Sequence, residues 1–264
     1  MLVIENAVAV ITGGGSGIGR ALAEFWLAQG GKVVIADIAE APLRQAEEEL
    51  RRISPQVKAV VANVTVEADC GRLAEEAITT FGSINLVAPF AGITSDAMML
   101  KTDRDSGKVV GKMSLAQFQK VIDINLTGVF LTVRECVEQM VNHGCRGLVC
   151  LVSSTGSLGT AGQLNYSATK AAMAVMPKVL TAEFFRRGLA DRIRVNAVAP
   201  GYVGTPMVKN MDEKVLGKIV EQVPIGRLVE PEEVVSLVAE LYRNEAMAGE
   251  TVFIHGGLRL GSKG

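Results

Sequence analysis

Tyr166 and Lys170 stand four residues apart in Gly162-Gln163-Leu164-Asn165-Tyr166-Ser167-Ala168-Thr169-Lys170. That spacing puts a phenol and an ammonium on one face of a helix. A free phenol titrates near pH 10, so it is a poor base at neutral pH; a neighbouring cation favours its phenolate, at about 1.4 kcal/mol for each pH unit of depression. A tyrosine tuned in this way exchanges a proton with an alcohol or a carbonyl oxygen. Alone the pair proves little, because tyrosine and lysine meet at this spacing on many helices that do no chemistry.

A second cluster, Thr12-Gly13-Gly14-Gly15-Ser16-Gly17-Ile18-Gly19, follows an apolar run and opens an amphipathic one. Glycines there permit positive φ and a close approach of backbone to ligand, and the following helix offers unpaired N–H groups to a pyrophosphate. Asp37 ends the next apolar run, about twenty residues on, where a carboxylate accepts hydrogen bonds from the adenosine ribose hydroxyls. A carboxylate at that place repels a 2′-phosphate, and neither the glycine turn nor position 38 carries an arginine. The expected cofactor is NAD rather than NADP.

The elements that must position these groups alternate along the whole chain. Strand-like apolar runs cover Ala7 to Thr12, Lys32 to Ala36, Val57 to Ala62, Ile84 to Ala88, Gly147 to Val152, Arg192 to Ala199 and Thr251 to Ile254. Helical periodicity fills about Gly17 to Gln29, Ala41 to Ile53, Glu67 to Phe81, Leu115 to His143, Gln163 to Arg187 and Pro231 to Arg243. This rhythm predicts an α/β fold, a single Rossmann-type doubly wound domain of about seven parallel strands with helices on both faces. With no long linker, residues 1–264 read as one domain. Two stretches leave the rhythm: polar Thr94 to Ser114, and Gly201 to Val223, punctuated by Gly and Pro. Loops of that length in a compact domain tend to bind substrate.

Composition removes several function classes. A net charge of −1 and the absence of a basic run exclude a nucleic-acid footprint. The apolar N-terminus is too short and lacks a basic leader, so neither a secretory signal nor a membrane span is expected. Cys70, Cys136, Cys145 and Cys150 form no CxxC pair and read as buried free thiols of a cytoplasmic protein. Two histidines, His143 and His255, are too few and too far apart for a metal cluster or a Ser-His-Asp triad, and no metal site is expected.

Taken together, the glycine turn, Asn125 in Asp123-Ile124-Asn125-Leu126-Thr127-Gly128, Ser153, the Tyr166/Lys170 pair and Pro200-Gly201-Tyr202-Val203-Gly204-Thr205 resemble the classical short-chain dehydrogenases/reductases over nearly the whole chain. In that family a serine stands thirteen residues before the tyrosine and an asparagine forty-one before it; Ser153 and Asn125 fit both intervals, with Ser154 an adjacent second candidate. The resemblance implies that Tyr166 is the general acid/base, that Lys170 lowers its pKa and binds the nicotinamide ribose, and that Ser153 orients the substrate oxygen. It also implies that Asn125 holds a helix open for a water linking Lys170 to solvent. Gly13, Ser16, Gly17, Ile18, Gly19, Asp37, Asn63, Val64, Ala91, Gly92, Pro200, Gly201, Val203 and Thr205, with Tyr166 and Lys170, are the implied cofactor-binding residues. Pro89-Phe90 stands where the family carries two asparagines.

Within the family, Val223-Pro224-Ile225-Gly226-Arg227-Leu228 resembles the 3-oxoacyl-thioester reductases. The polar insertion after Gly92 and the C-terminal run resemble NAD-linked 3-hydroxyacyl-CoA dehydrogenases. The function implied is NAD-dependent interconversion of a secondary alcohol and a ketone, with a 3-hydroxyacyl thioester on CoA or an acyl carrier protein as first choice. Another small secondary alcohol, cyclic, aromatic or steroidal, is the alternative. A non-catalytic NAD sensor would break a catalytic position, and Asn125, Ser153, Tyr166 and Lys170 are all intact. Met98, Met99, Leu100, Met207, Val208 and Met211 suggest an apolar substrate or a subunit contact; Arg186, Arg187, Arg192 and Arg194 offer a carrier phosphate something to hold, or form a solvated helix end. Family likeness further implies a homotetramer or dimer, with a small-molecule or thioester-linked substrate as the other partner.

Overall fold

A computed structural model describes residues 1–205, 208 and 212–258. Strands β1 (Val8–Thr12), β2 (Lys32–Asp37), β3 (Val57–Val61), β4 (Leu86–Pro89), β7 (Gly147–Val152), β8 (Ile193–Pro200) and β9 (Thr251–Ile254) form one parallel sheet in the order β3-β2-β1-β4-β7-β8-β9. They are short because their backbones lie between two helical layers, and β-branched residues on both faces keep them buried. Side chains alternate between the layers. Ala9, Ile11, Val33, Ile35, Leu148 and Cys150 meet α1 (Gly17–Ala28), α2 (Glu40–Arg51) and α8 (Pro231–Arg243) on one face, around Leu22, Trp26, Leu43, Leu50 and Val238. Val10, Val34, Val149, Leu151 and Val195 meet α3 (Glu67–Phe81), α5 (Gly128–Asn142) and α6 (Leu164–Arg186) on the other, around Leu73, Val133, Met140, Met173 and Phe184.

Sheet order reverses between β1 and β4, so the crevice at their C-terminal ends is the ligand crevice of an open α/β sheet. Every strand of the sheet points toward that crevice and every flanking helix runs back from it. Thr94 to Ser114 forms an exposed antiparallel hairpin, β5 (Leu100–Thr102) with β6 (Val109–Lys112). It is anchored beside the crevice, where the Ala97 amide donates to the Gly162 carbonyl at 2.8 Å. The second irregular stretch contains the short helix α7 (Glu213–Val220). Met207 and Met211 lie outside the described residues.

Leu115 to His143 is not one helix. It divides into α4 (Leu115–Ile122), a π turn over Asp123–Thr127, and α5. The fourth strand begins at Leu86 rather than Ile84, because the Asn85 side chain accepts from the Val8 amide and donates to the Arg146 carbonyl, ending the regular ladder there. No helix among the described residues is long and apolar enough to cross a membrane.

Candidate active site

The glycine turn fits a dinucleotide by its contacts. Gly13 has φ +69°, and a Cβ there would stand 2.9 Å from the Ala91 nitrogen, so only hydrogen lets β1 approach the loop after β4. Gly17, φ +57°, faces the Thr205 methyl group at 3.4 Å from the place its Cβ would take. The Ser16 side chain does not cap α1 and no acid occupies its first turn, so the first N–H groups of this twelve-residue helix have no side-chain cap from Ser16. Asp37 closes the other side. Its Oδ2 would lie 3.1 Å from a Cβ on Gly15, and its Oδ1 accepts from the Ala39 amide at 3.2 Å. These residues suit a pyrophosphate with a ribose diol beside it.

Asn63 follows β3, and its Oδ1 accepts from both the amide and the hydroxyl of Thr65, at 3.0 and 2.8 Å. Val64 packs against Cys70 and Leu131, with Ala91 at the edge of the same cluster. The Ala91 amide donates to Thr12 Oγ1. Pro89 takes the last pairing position of β4, opposite Thr12, and the Phe90 side chain packs against the core beneath the turn. On the far side Gly201 donates to the Ile254 carbonyl, Val203 bridges to Val229, and Thr205 closes a tight turn on the Val203 carbonyl at 2.7 Å. Pro200 to Thr205 is thus a rim held by β9 and the segment before α8.

Asn125, fully buried in the π turn, grips both backbone groups of Ile93: Nδ2 donates to the carbonyl and Oδ1 accepts from the amide, each at 2.8 Å. A Cβ on Gly92 would lie 3.3 Å from Asn125 Oδ1 and 3.9 Å from Lys170 Nζ, so asparagine and lysine meet at this glycine. Lys170 is buried and donates from Nζ to the Val152 carbonyl at 2.9 Å. Burial lowers its ammonium to about 8.

Lys170 Nζ stands 5.5 Å from the centre of the Tyr166 ring. In this structure the lysine does not depress the phenol, contrary to the expectation from their spacing. Burial raises Tyr166 above its ordinary value, the Asp96 charge pushes in the same direction, and hydrogen bonding with the Ser154 hydroxyl is what opposes them. The physical reason is that the ammonium donates to the Val152 carbonyl, while desolvation disfavours charge on both residues.

The two serines also divide differently from the interval count. Ser153 is buried and its hydroxyl donates to the Lys170 carbonyl of α6 at 2.7 Å, while Ser154 is the hydroxyl beside the phenol.

Other polar groups around Tyr166 carry no signal in the sequence. Asn165, fully buried, accepts from the Tyr166 amide and donates to the Ser95 carbonyl, fixing the start of α6 to the loop before the hairpin. Gln163 reaches Asp96 at 2.8 Å. Asn165 adjoins the tyrosine along the chain, but its task emerges only with its partners.

Arg186, Arg187 and Arg192 lie at the opposite end of the sheet from Tyr166; from Lys170 to Arg186 alone α6 runs about 24 Å. Arg194 is buried and donates to the carbonyls of Leu241, Tyr242, Asn244 and Met247 at the end of α8. None of the four is placed for a carrier phosphate at the crevice. Met98, Met99 and Leu100 lie exposed on the hairpin arm. All four cysteines are buried and free, and no metal-binding cluster occurs among the described residues.

Residues 7–216 match the family model described as short chain dehydrogenase. The chain is 32% identical to a 3-oxoacyl-[acyl-carrier-protein] reductase of Thermotoga maritima, over 97% of this chain and 98% of that one. It is 33% identical to the human (3R)-3-hydroxyacyl-CoA dehydrogenase, over 97% and 96%. A crystal structure of a short-chain dehydrogenase/reductase, glucose/ribitol dehydrogenase, from Brucella melitensis superposes with a TM-score of 0.84 at 29% identity, covering 97% of this chain and 98% of its own. With a crevice lined by the glycine turn, Asn125, Tyr166 and Lys170 and likeness over nearly its full length, this chain belongs to the short chain dehydrogenases and is an oxidoreductase acting on CH–OH groups.

Proposed function

We propose that the chain interconverts a 3-hydroxyacyl and a 3-oxoacyl thioester, carried on CoA or an acyl carrier protein, with NAD as its cofactor. The observation that carries the reading is the half-buried Tyr166 above buried Lys170, at the crevice between the glycine turn and the exposed hairpin. The names of the reductase and dehydrogenase relatives supply the thioester. Bound NAD supplies the hydride acceptor, and NADH the donor.

The chain's own residues do the rest. The start of α1 binds the pyrophosphate, Asp37 the adenosine ribose, Lys170 the nicotinamide ribose, and Thr205 the carboxamide. Tyr166 holds the proton that the substrate oxygen gains or gives up. Asp37 supports NAD over NADP, since its carboxylate stands beside Gly15 of the glycine turn and would repel a 2′-phosphate, with Ile38 rather than a cation next to it in the chain.

A smaller polyol or cyclic alcohol is the second reading, favoured by the glucose/ribitol name of the Brucella melitensis protein. Following NADH with acetoacetyl-CoA, cyclic alcohols, ribitol and steroids separates the two. Turnover confined to the non-thioesters removes the first choice, and a Tyr166→Phe variant that retains near-normal turnover removes the mechanism; the expected loss is on the order of 10² to 10⁴ in kcat.

We further propose that α6 and β9 pair with other copies in a homotetramer. Val175, Val179, Leu158 and Phe253 expose an apolar strip there, and β9 is the edge strand of the sheet. Light scattering of the full chain tests this. The buried free thiols support a cytoplasmic setting.

A further inference from the structure

Between Gly92 and the hairpin the chain carries one carboxylate, Asp96, and the backbone on both sides of it is tied to the start of α6. The Ser95 carbonyl accepts from Asn165 Nδ2 at 3.0 Å, and the Ala97 amide donates to the Gly162 carbonyl at 2.8 Å. Gln117 of α4 also donates to the Ser95 carbonyl, at 3.2 Å. Between these anchors Asp96 Oδ2 accepts from Gln163 Nε2 at 2.8 Å. Gln163 stands three residues before Tyr166 at the start of α6, and residues at that spacing share a helix face.

The carboxylate is thus rooted beside the phenol, exposed on the crevice side of the loop. Its partner is a neutral amide, which fixes the carboxylate without cancelling its charge. That charge reaches the phenol, since after burial it is what raises Tyr166. The other charge at the tyrosine, Lys170, is buried and donates to the Val152 carbonyl, and the cations of the loop begin only at Lys101 on the hairpin.

A substrate must place its reacting oxygen at Tyr166, and in a 3-oxo acid the carboxyl carbon lies one methylene from the carbonyl carbon. A free acid therefore brings a full negative charge close to the reacting centre, within the reach of Asp96. In an ester or thioester the same carbon is neutral. Like charges held near each other in a partly desolvated site repel more strongly than in open water.

We infer that Asp96 is a specificity-determining residue whose fixed carboxylate turns away the free 3-oxo or 3-hydroxy acid, so that the crevice takes the acyl group only as an ester or thioester. The inference rests on the thioester reading above and adds the residue that enforces it. Specificity of this kind comes from a repulsive element aimed at the wrong substrate.

The test measures NADH-dependent reduction of acetoacetyl-CoA, neutral ethyl acetoacetate and free acetoacetate by wild type, Asp96→Asn, Asp96→Glu and Asp96→Lys. Asparagine keeps an oxygen for Gln163 and removes only the charge. The ratio of kcat/KM for acetoacetate over that for ethyl acetoacetate should rise on the order of tenfold in Asp96→Asn, rise further in Asp96→Lys, and stay near wild type in Asp96→Glu. About 1 M sodium chloride, which shortens screening to roughly 3 Å, should move the wild-type ratio toward that of Asp96→Asn. A purely structural role would lower all three substrates together and leave the ratio in place. A wild type that prefers acetoacetate to the neutral ester, or a ratio unmoved in both Asp96→Asn and Asp96→Lys, overturns the inference.

A wild type that reduces none of the three counts against the proposed substrates, and a measurement without substrate then decides the charge. The chain has three tyrosines, and the ultraviolet titration step that is missing in Tyr166→Phe should fall to lower pH in Asp96→Asn, because a negative neighbour is gone. In that case a step that stays in place overturns the inference.

Discussion

Lys170 carries its charge at a cost to the fold, and replacing it by methionine should make the protein more stable and nearly inactive. Burial lowers the ammonium from 10.5 to about 8. Between those values the unfolded chain holds the proton and the folded chain does not, so wild-type stability rises with pH across that window. At about 1.4 kcal/mol per pH unit, the charged side chain costs the folded state about 3 kcal/mol at pH 7 and about 1.4 kcal/mol at pH 9.5. Methionine keeps the aliphatic stem and removes the charge, but leaves the Val152 carbonyl without its donor, which costs about 1 kcal/mol at any pH. The net gain for Lys170→Met is therefore about 2 kcal/mol at pH 7 and close to nothing at pH 9.5. Urea midpoints at the two pH values, without cofactor, measure it, and turnover should fall on the order of 10²-fold or more in the same variant. A variant less stable than wild type at pH 7, or a gain that does not shrink as pH rises, refutes the assignment of burial as the dominant force on this lysine.

Asn125→Ala should lose about 2 to 4 kcal/mol in urea unfolding, because both backbone groups of Ile93 lose their partner in a fully buried place. Turnover of the folded fraction should also fall roughly 10²-fold as Gly92 and Lys170 lose their setting; unchanged kcat would detach the π turn from the chemistry. Asp37→Ala should narrow the ratio of kcat/KM for NAD over NADP, and a wild type already preferring NADP would refute the role given to its carboxylate. Arg194→Met should cost about 3 to 5 kcal/mol by leaving the carbonyls at the end of α8 unpaired, with kcat per folded molecule unchanged below the unfolding transition; a selective fall in kcat would show that this arginine reaches the crevice after all.

The sheet and its helices were legible because each strand is a short β-branched run buried on both faces and each helix is a longer amphipathic one. Glycine turn, Asp37 and Tyr166 were legible for a related reason: each follows the C-terminal end of a strand or opens a helix, so its order along the chain fixes its end of the sheet. The π turn was not, since one extra residue in a helical turn leaves the apolar stripe uninterrupted, and the group it turns inward, Asn125, bonds Ile93, thirty-two residues away. Arg194 reads as one of four surface cations until pairing with β7 and β9 places β8 inside the sheet, where its guanidinium donates to backbone carbonyls.

Spacing is weakest as a guide where direction matters more than position. Four residues on a helix do bring Tyr166 and Lys170 to one face, yet the ammonium is turned to the Val152 carbonyl, and desolvation rather than mutual attraction sets both acidities. The same holds past the end of β7, where neighbouring serines meet different groups of α6, Ser153 the Lys170 carbonyl and Ser154 the Tyr166 phenol. A count along the chain chooses Ser153, whose hydroxyl here donates to the Lys170 carbonyl. Direction divides them: Ser153 turns its proton to the backbone of α6, and Ser154 stands beside the phenol.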